Sequence, residues 1–323
     1  RSRHTLPSNT RKQRLNMTDQ TTDHGEHPTK CGFVSILGLP NAGKSTLLNT
    51  LVGSKVSIVS HKVQTTRSRV LGILAHNQTQ IVLMDTPGVF APKKTLEKAM
   101  VNAALDSIAE ADIVMHLVDA SSKETVERNK FLSEKLPENK RCILLLNKID
   151  QVKKENLLEI TKQMHEQFDY TETFMISALK NNGLAPLLTY LEEHLPQSPW
   201  LFPEDQMTDM PLRMLAAEIT REKIFERLHQ ELPYAIFVET QNWENFDNGS
   251  VKIDQVIYVE RDSQKGIVLG KGGRTIKEIG QHVRLELEEM LDCPVHIKIF
   301  VKAQSNWAER SENYRLMGLN FPV

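Results

Sequence analysis

Gly38-Leu39-Pro40-Asn41-Ala42-Gly43-Lys44-Ser45 follows a short apolar run, Phe33 to Leu37, and leads into a helix-like stretch from Ser45 to Leu51. A glycine-containing loop between a buried strand and a helix is the setting that a phosphate-binding P-loop requires. Backbone N–H groups of such a loop converge on an anion, and the positive end of the helix dipole reinforces them. Asn41, Ala42, Gly43, Lys44, Ser45 and Thr46 are therefore the expected oligophosphate cradle. Lys44 is expected to reach the terminal phosphates. Ser45 is expected to offer its hydroxyl to Mg²⁺, a hard cation that takes oxygen ligands and keeps most of its water.

Downstream, strand-like segments at Arg69 to Leu74, Gln80 to Met84, Ile113 to Val118, Cys142 to Leu146 and Phe174 to Ile176 are short and rich in branched residues. Helix-like segments at Thr95 to Ala109, Lys123 to Lys135, Lys153 to Phe168 and Leu184 to His194 lie among them. This alternation predicts an α/β domain whose sheet is mostly parallel and covered on both faces, with ligands at the carboxyl ends of the strands. The distinctive polar residues, Asp85, Asn147 and Ser177, all fall at strand ends.

Asn147-Lys148-Ile149-Asp150 selects the base. A carboxylate in the base plane accepts two hydrogen bonds from the imino and amino protons of guanine, and adenine offers no such donor pair, so Asp150 is the expected guanine discriminator. Asn147 is expected to tie neighbouring loops together and approach the base, and the stem of Lys148 to cover the ring face. In Ser177-Ala178-Leu179 the Ala178 amide is expected to meet the guanine carbonyl oxygen. Asp85-Thr86-Pro87-Gly88 ends a strand where Asp85 can enter the Mg²⁺ shell and the Gly88 amide can follow the γ-phosphate. In Gln64-Thr65-Thr66-Arg67, Thr66 rather than Thr65 is expected to complete the metal shell. Lys44, Thr66 and Gly88 are thus the expected catalytic set. Val89 stands where Ras-like GTPases place the glutamine that orients the attacking water. Hydrolysis must then depend on backbone groups, a bound cation or a partner, and Asn41 is a candidate to help bind K⁺ beside the phosphates.

The chain has 323 residues, more than one hydrophobic core usually holds, and a second domain is expected. A formal net charge of −1 gives no global signal for nucleic acid, so any such site must be local. Cys31, Cys142 and Cys293 are far apart, which argues against a disulfide framework or a zinc site and suits a reducing cytosol. No apolar run is long enough to span a bilayer. Residues 1–30 read as a disordered tail, in part upstream of a natural start, since the first methionine is Met17, with a functional basic arm as the alternative. The expected domains are 31–195 for the nucleotide, a proline-rich linker at 196–210, and 211–323.

In that last part a helix-like stretch, Leu212 to His229, precedes strands at Tyr234 to Asn242 and Val251 to Glu260. An apolar Gly266 to Leu269, expected as a strand, then leads to Gly270-Lys271-Gly272-Gly273. A helix from Arg274 to Leu291 and a strand from Val295 to Val301 complete it. A GxxG loop opening a helix can clamp a single-stranded RNA backbone. Gly270, Lys271, Gly272, Gly273, Arg274 and Lys277 are the candidate RNA contacts.

With QTTR, DTPG, NKID, SAL and GKGG in this order, the chain resembles the Era family over about residues 31 to 317. The resemblance implies a P-loop GTPase domain followed by an α+β type II KH domain. It also implies a protein that binds the 3′ end of 16S ribosomal RNA, hydrolyses GTP to GDP as a checkpoint in 30S subunit maturation, and visits the inner membrane peripherally. Turnover is expected to be slow, Mg²⁺-dependent and raised by RNA or K⁺, and a monomer is the default. Two other readings stay open. One is an RNA-binding scaffold with guanine nucleotide as a structural ligand, and the other a related GTPase that serves the large subunit or tRNA.

Overall fold

The computed structural model describes residues 28–322 apart from 61, 63–64, 91 and 229–231. The tail expected through residue 30 lies outside the described residues up to 27, as do Gln64 and His229. Its last part is not a tail. Lys30 already opens strand β1 (Lys30–Leu37), pairs with Thr79, and donates to the carbonyl oxygens of Glu192 and Glu193 at 2.7 and 3.0 Å. Those carbonyls end a helix, where a cation is favoured.

From β1 the chain passes through α1 (Lys44–Val52), β2 (Val70–His76), β3 (Thr79–Asp85), α2 (Thr95–Glu110), β4 (Ile113–Asp119) and α3 (Thr125–Ser133). It continues through β5 (Arg141–Asn147), α4 (Lys154–Gln167), β6 (Glu172–Met175) and α5 (Leu184–His194). The sheet order is β2-β3-β1-β4-β5-β6, parallel throughout except for the antiparallel β2–β3 hairpin. Alternate residues of the central strands serve two cores, as period-two side chains must. Ile113, Met115 and Leu117 face α1 and α5 through Leu47, Leu187 and Leu191. Val114 and Val118 face α2, α3 and α4 through Ile108, Leu132 and Met164. His116 falls on this second face and is buried because Tyr170 and Asn129 satisfy both ring nitrogens.

The proline-rich connection is not a free tether. Buried Gln80 straps it to the domain, its Oε1 accepting from Leu201 N and Phe202 N at 2.9 and 3.0 Å and its Nε2 donating to the Phe202 carbonyl at 2.8 Å. Ile73 N donates to the Met207 carbonyl at 2.8 Å, so the strap also covers the outer edge of β2.

The second unit comprises α6 (Leu212–Arg227), β7 (Ile236–Asn245), β8 (Val251–Val259), α7 (Asp262–Leu269), α8 (Arg274–Leu291), β9 (Val295–Ala303) and α9 (Ser311–Leu316). Its sheet runs β7-β8-β9, antiparallel then parallel. Ile279, Val283 and Leu287 of α8 repeat at helical spacing and are fully buried against it.

Gly266 to Leu269 corrects the expectation of a strand. It is the last turn of α7, where Val268 is buried and Ile267 exposed. A short apolar run does not distinguish a strand from one turn of a helix. The signal lay upstream, where Gln264 Oε1 accepts from the amides of Glu260 and Arg261 at 2.9 and 3.1 Å and opens the helix. Residues 318–322 also have a place, since Leu319 joins Trp307, Tyr314 and Met317 in a buried cluster with Leu96 and Met100 of α2.

Candidate functional site

The loop after β1 turns through left-handed Asn41 (φ 65°) and Gly43 (φ 101°) into α1. At Gly43 a side chain would strain the backbone, and its Cβ would sit 2.4 Å from Asn147 Nδ2. Gly43 caps α1 without a side-chain acceptor and the first turn holds no acidic residue, so the amides there are left for a ligand. Lys44 is buried, with Nζ donating to the carbonyl oxygens of Gly38 and Leu39, each at 3.1 Å. Burial lowers its pKa from 10.5 to about 8, with Asp85 opposing the shift.

Asp85 at the end of β3 is fully buried and gathers hydroxyls. Its Oδ2 accepts from Ser45 Oγ at 2.6 Å, Ser57 Oγ at 3.0 Å and Thr66 Oγ1 at 3.4 Å, and Ser45 Oγ lies 2.9 Å from Thr66 Oγ1. Desolvation raises the Asp85 pKa, while Lys44 and the hydroxyls oppose it. Its Oδ1 has no hydrogen-bond partner among the described residues. An all-oxygen donor set with an unfilled buried carboxylate oxygen fits a hard divalent cation. Thr65 lines the same cleft as Thr66, but its hydroxyl is taken up by the Lys62 carbonyl at 2.7 Å.

Asn147 spans the loops, donating from Nδ2 to the Ala42 carbonyl at 2.8 Å and accepting the Ala178 amide on Oδ1 at 3.0 Å. Lys148, itself at φ 63°, stretches its ammonium to the Asn41 carbonyl at 3.0 Å and Asp119 Oδ2 at 2.6 Å. Ser177 Oγ donates to Asp150 Oδ1 at 2.6 Å and so orients that carboxylate. A cleft of about 630 Å³ is bounded by the P-loop, Thr66, Gly88, Asp150, Ala178 and Leu179. Thr46 also lines it, whereas Ala42 and Asp85 are buried and do not. Gly88 is pressed against Pro40, and a Cβ there would lie 2.8 Å from Pro40 N. Val89 points away, buried in the cluster that holds Leu37 and Met84.

The GKGG loop joins two helices, α7 and α8. Gly270 has φ 72° and its Cβ would strike Thr275 Oγ1 at 2.1 Å, whereas Gly272 and Gly273, also at positive φ, face open space. Lys271, Arg274 and Lys277 are exposed and form no ion pair among the described residues.

Family models match the chain as a 50S ribosome-binding GTPase over residues 33–148 and as a KH domain over residues 231–308. GTPase Era of Sinorhizobium medicae is 52% identical over 94% of this chain and 98% of its own length, and that of Agrobacterium fabrum 52% identical over 95% and 99%. The chain belongs to the Era family. It is a GTP-binding and GTP-hydrolysing protein with a C-terminal KH domain. Among solved structures, Era in complex with MgGDPNP and nucleotides 1506–1542 of 16S ribosomal RNA is 41% identical, with a TM-score of 0.84, over 90% of this chain and 99% of that one. An Aquifex aeolicus Era variant bound to GDP·AlF4⁻ matches at a TM-score of 0.83, 41% identity and the same coverage.

Three positions in this Era-family site escape the motifs. Ser57 reaches Asp85 because Asn49 of α1 accepts the amides of Val56 and Ser57 on Oδ1, each at 3.0 Å. Asp119, at the end of β4, holds Lys148, and its place at a strand end was the available signal. Arg221 carried no signal, since it comes from α6, far along the chain. Among the described residues no helix is long and apolar enough to cross a membrane.

Proposed function

We propose that this Era-family GTPase couples GTP hydrolysis to single-stranded RNA held at the Gly270–Gly273 loop, the RNA being the 3′ end of 16S ribosomal RNA in a maturing 30S subunit. The observation that carries the reading is one chain holding both the Ser45–Thr66–Asp85 cluster and a glycine loop between two helices beside exposed Lys271, Arg274 and Lys277. The relative solved with MgGDPNP and 16S RNA supports the choice of RNA.

In this reading the amides of residues 41–46 and the Gly88 amide bind the phosphates, and Lys44 leaves its loop carbonyls to meet them. Ser45, Thr66 and Asp85 would hold Mg²⁺, which neutralises charge on the phosphate oxygens when bound. Asp150 reads guanine, Ser177 orients Asp150, and the Ala178 amide, which donates to Asn147 Oδ1 in the free protein, leaves it to meet the base. Buried Val89 offers no group to the attacking water. Turnover of the isolated protein is therefore slow, and Asn41 would help hold K⁺, which would supply positive charge against the charge that develops on the phosphates. The reading extends to a cytoplasmic monomer that visits the inner membrane peripherally.

The test is phosphate release from GTP by the full chain in potassium or sodium chloride, with an oligonucleotide of the 16S 3′ end or a scrambled control. Stimulation by the specific oligonucleotide, larger in potassium, is expected. Bound GTP with a rate indifferent to RNA would instead favour the scaffold reading. Replacing Lys271 and Gly272 together by Asp should weaken RNA binding by about a hundredfold, since two charges that repel phosphate replace one that attracts it. GTP affinity should stay unchanged, and RNA affinity that survives the pair of substitutions would remove the loop from the site.

A further inference from the structure

The segment that carries Thr66 is held by α6, a helix packed on β7 and α8 of the second unit. Glu222 Oε1 accepts Val59 N at 2.8 Å, Lys62 Nζ donates to the carbonyl oxygens of Phe225 and Leu228, and Arg221 Nη2 donates to the carbonyl of Thr65. On the other side of Thr66, Arg67 donates to the Ile236 carbonyl at 2.6 Å and lies over the ring of Trp307. The peptide before Thr66 and the side chain that follows it are thus tied to the same neighbouring unit.

Arg221 is 1% exposed. Its Nε donates to Glu218 Oε1 at 2.9 Å and its Nη2 to Glu218 Oε2, while Nη1 has no partner among the described residues. A buried guanidinium with an unfilled donor is costly, and a second one nearby adds repulsion. The second guanidinium is that of Arg67, which is also buried. Packing alone would be better served by an apolar side chain of similar volume. Beyond its ion pair with Glu218, the contact made at this cost is with the Thr65 carbonyl.

We propose that Arg221 is a positioning residue for GTP hydrolysis: by holding the Thr65 carbonyl it keeps the Thr66 hydroxyl at Asp85 and Ser45. The inference rests on the assignment of Thr66 to the metal shell. It makes the metal site complete only while α6 is docked, so whatever displaces α6 lowers turnover through Mg²⁺ rather than through the base.

The experiment compares Arg221→Ala, Arg221→Lys and Thr66→Ala in the full chain, reading kcat, KM, the Mg²⁺ concentration for half-maximal hydrolysis, and GDP affinity in EDTA. Arg221→Ala should lower kcat and raise the Mg²⁺ requirement, each by about tenfold, for loss of one charge-assisted hydrogen bond. GDP affinity without metal should not move, and Arg221→Lys, which keeps a charged donor, should restore most of the loss. Values for Arg221→Ala within about twofold of the parent overturn the proposal, as does a kcat loss with an unmoved Mg²⁺ requirement. Thr66→Ala with parental turnover would instead overturn the metal assignment beneath it. If Arg221→Ala does not fold, Glu218→Gln loosens the guanidinium while leaving its charge in place. The same rise in Mg²⁺ requirement is then expected, and its absence overturns the proposal.

Discussion

Asp150→Asn should weaken GTP binding by about a hundredfold or more and raise affinity for the xanthine nucleotide. The carboxylate accepts two protons from guanine, and the amide presents a donor to a donor. Losing a hydrogen bond to a charged group costs about 1.5–3 kcal/mol, and a donor left facing a donor in a desolvated site costs more. Ser177 makes this a clean substitution, because the Asn oxygen can still accept the hydroxyl that holds Asp150 at 2.6 Å. Competition of GTP and XTP for the purified chain measures the effect. Undiminished GTP affinity would mean that Asp150 does not read the base.

Lys44→Ala should reduce nucleotide affinity and turnover together, turnover by about a hundred- to a thousandfold, the range for removing one preorganised charge from a transition state. The parent carries a pH signature that the variant should lose. In the free protein burial holds the Lys44 pKa at about 8, below the ordinary 10.5. Phosphate oxygens around the ammonium raise it, so the bound state holds more protons than the free state between those values. Binding must then take up a proton, and affinity must fall as pH rises from about 8 toward 10.5. Calorimetry in buffers of different ionisation enthalpy reads the uptake directly. No uptake in the parent near pH 9 would place the ammonium away from the phosphates.

The nucleotide site was legible because its motifs are local. Gly43 needs a left-handed backbone beside Asn147, Gly88 a close approach to Pro40, and Asp85 and Asn147 a strand end, and each need leaves its mark in a few consecutive residues. Thr66 could be preferred to Thr65, though only the fold brings its hydroxyl to Ser45 and Asp85. The apolar Gly266 to Leu269 misled because a run of four apolar residues is too short for periodicity to separate a helical turn from a strand. Gln80 gave no warning that it straps the proline-rich connection, for its partners lie far along the chain at Leu201 and Phe202.

By itself, then, the order of motifs determined the fold of each half, the guanine nucleotide and the family, because phosphate cradles, base readers and glycine loops are built from neighbours whose dihedral angles and side chains act together. Tertiary structure alone decided that Ser57 joins the hydroxyls at Asp85, that α2 packs on Trp307 and Leu319, and that Arg221 holds the peptide before Thr66. Those contacts pair residues far apart in the chain through burial and hydrogen bonds, and no local periodicity records which distant donor will find a given acceptor.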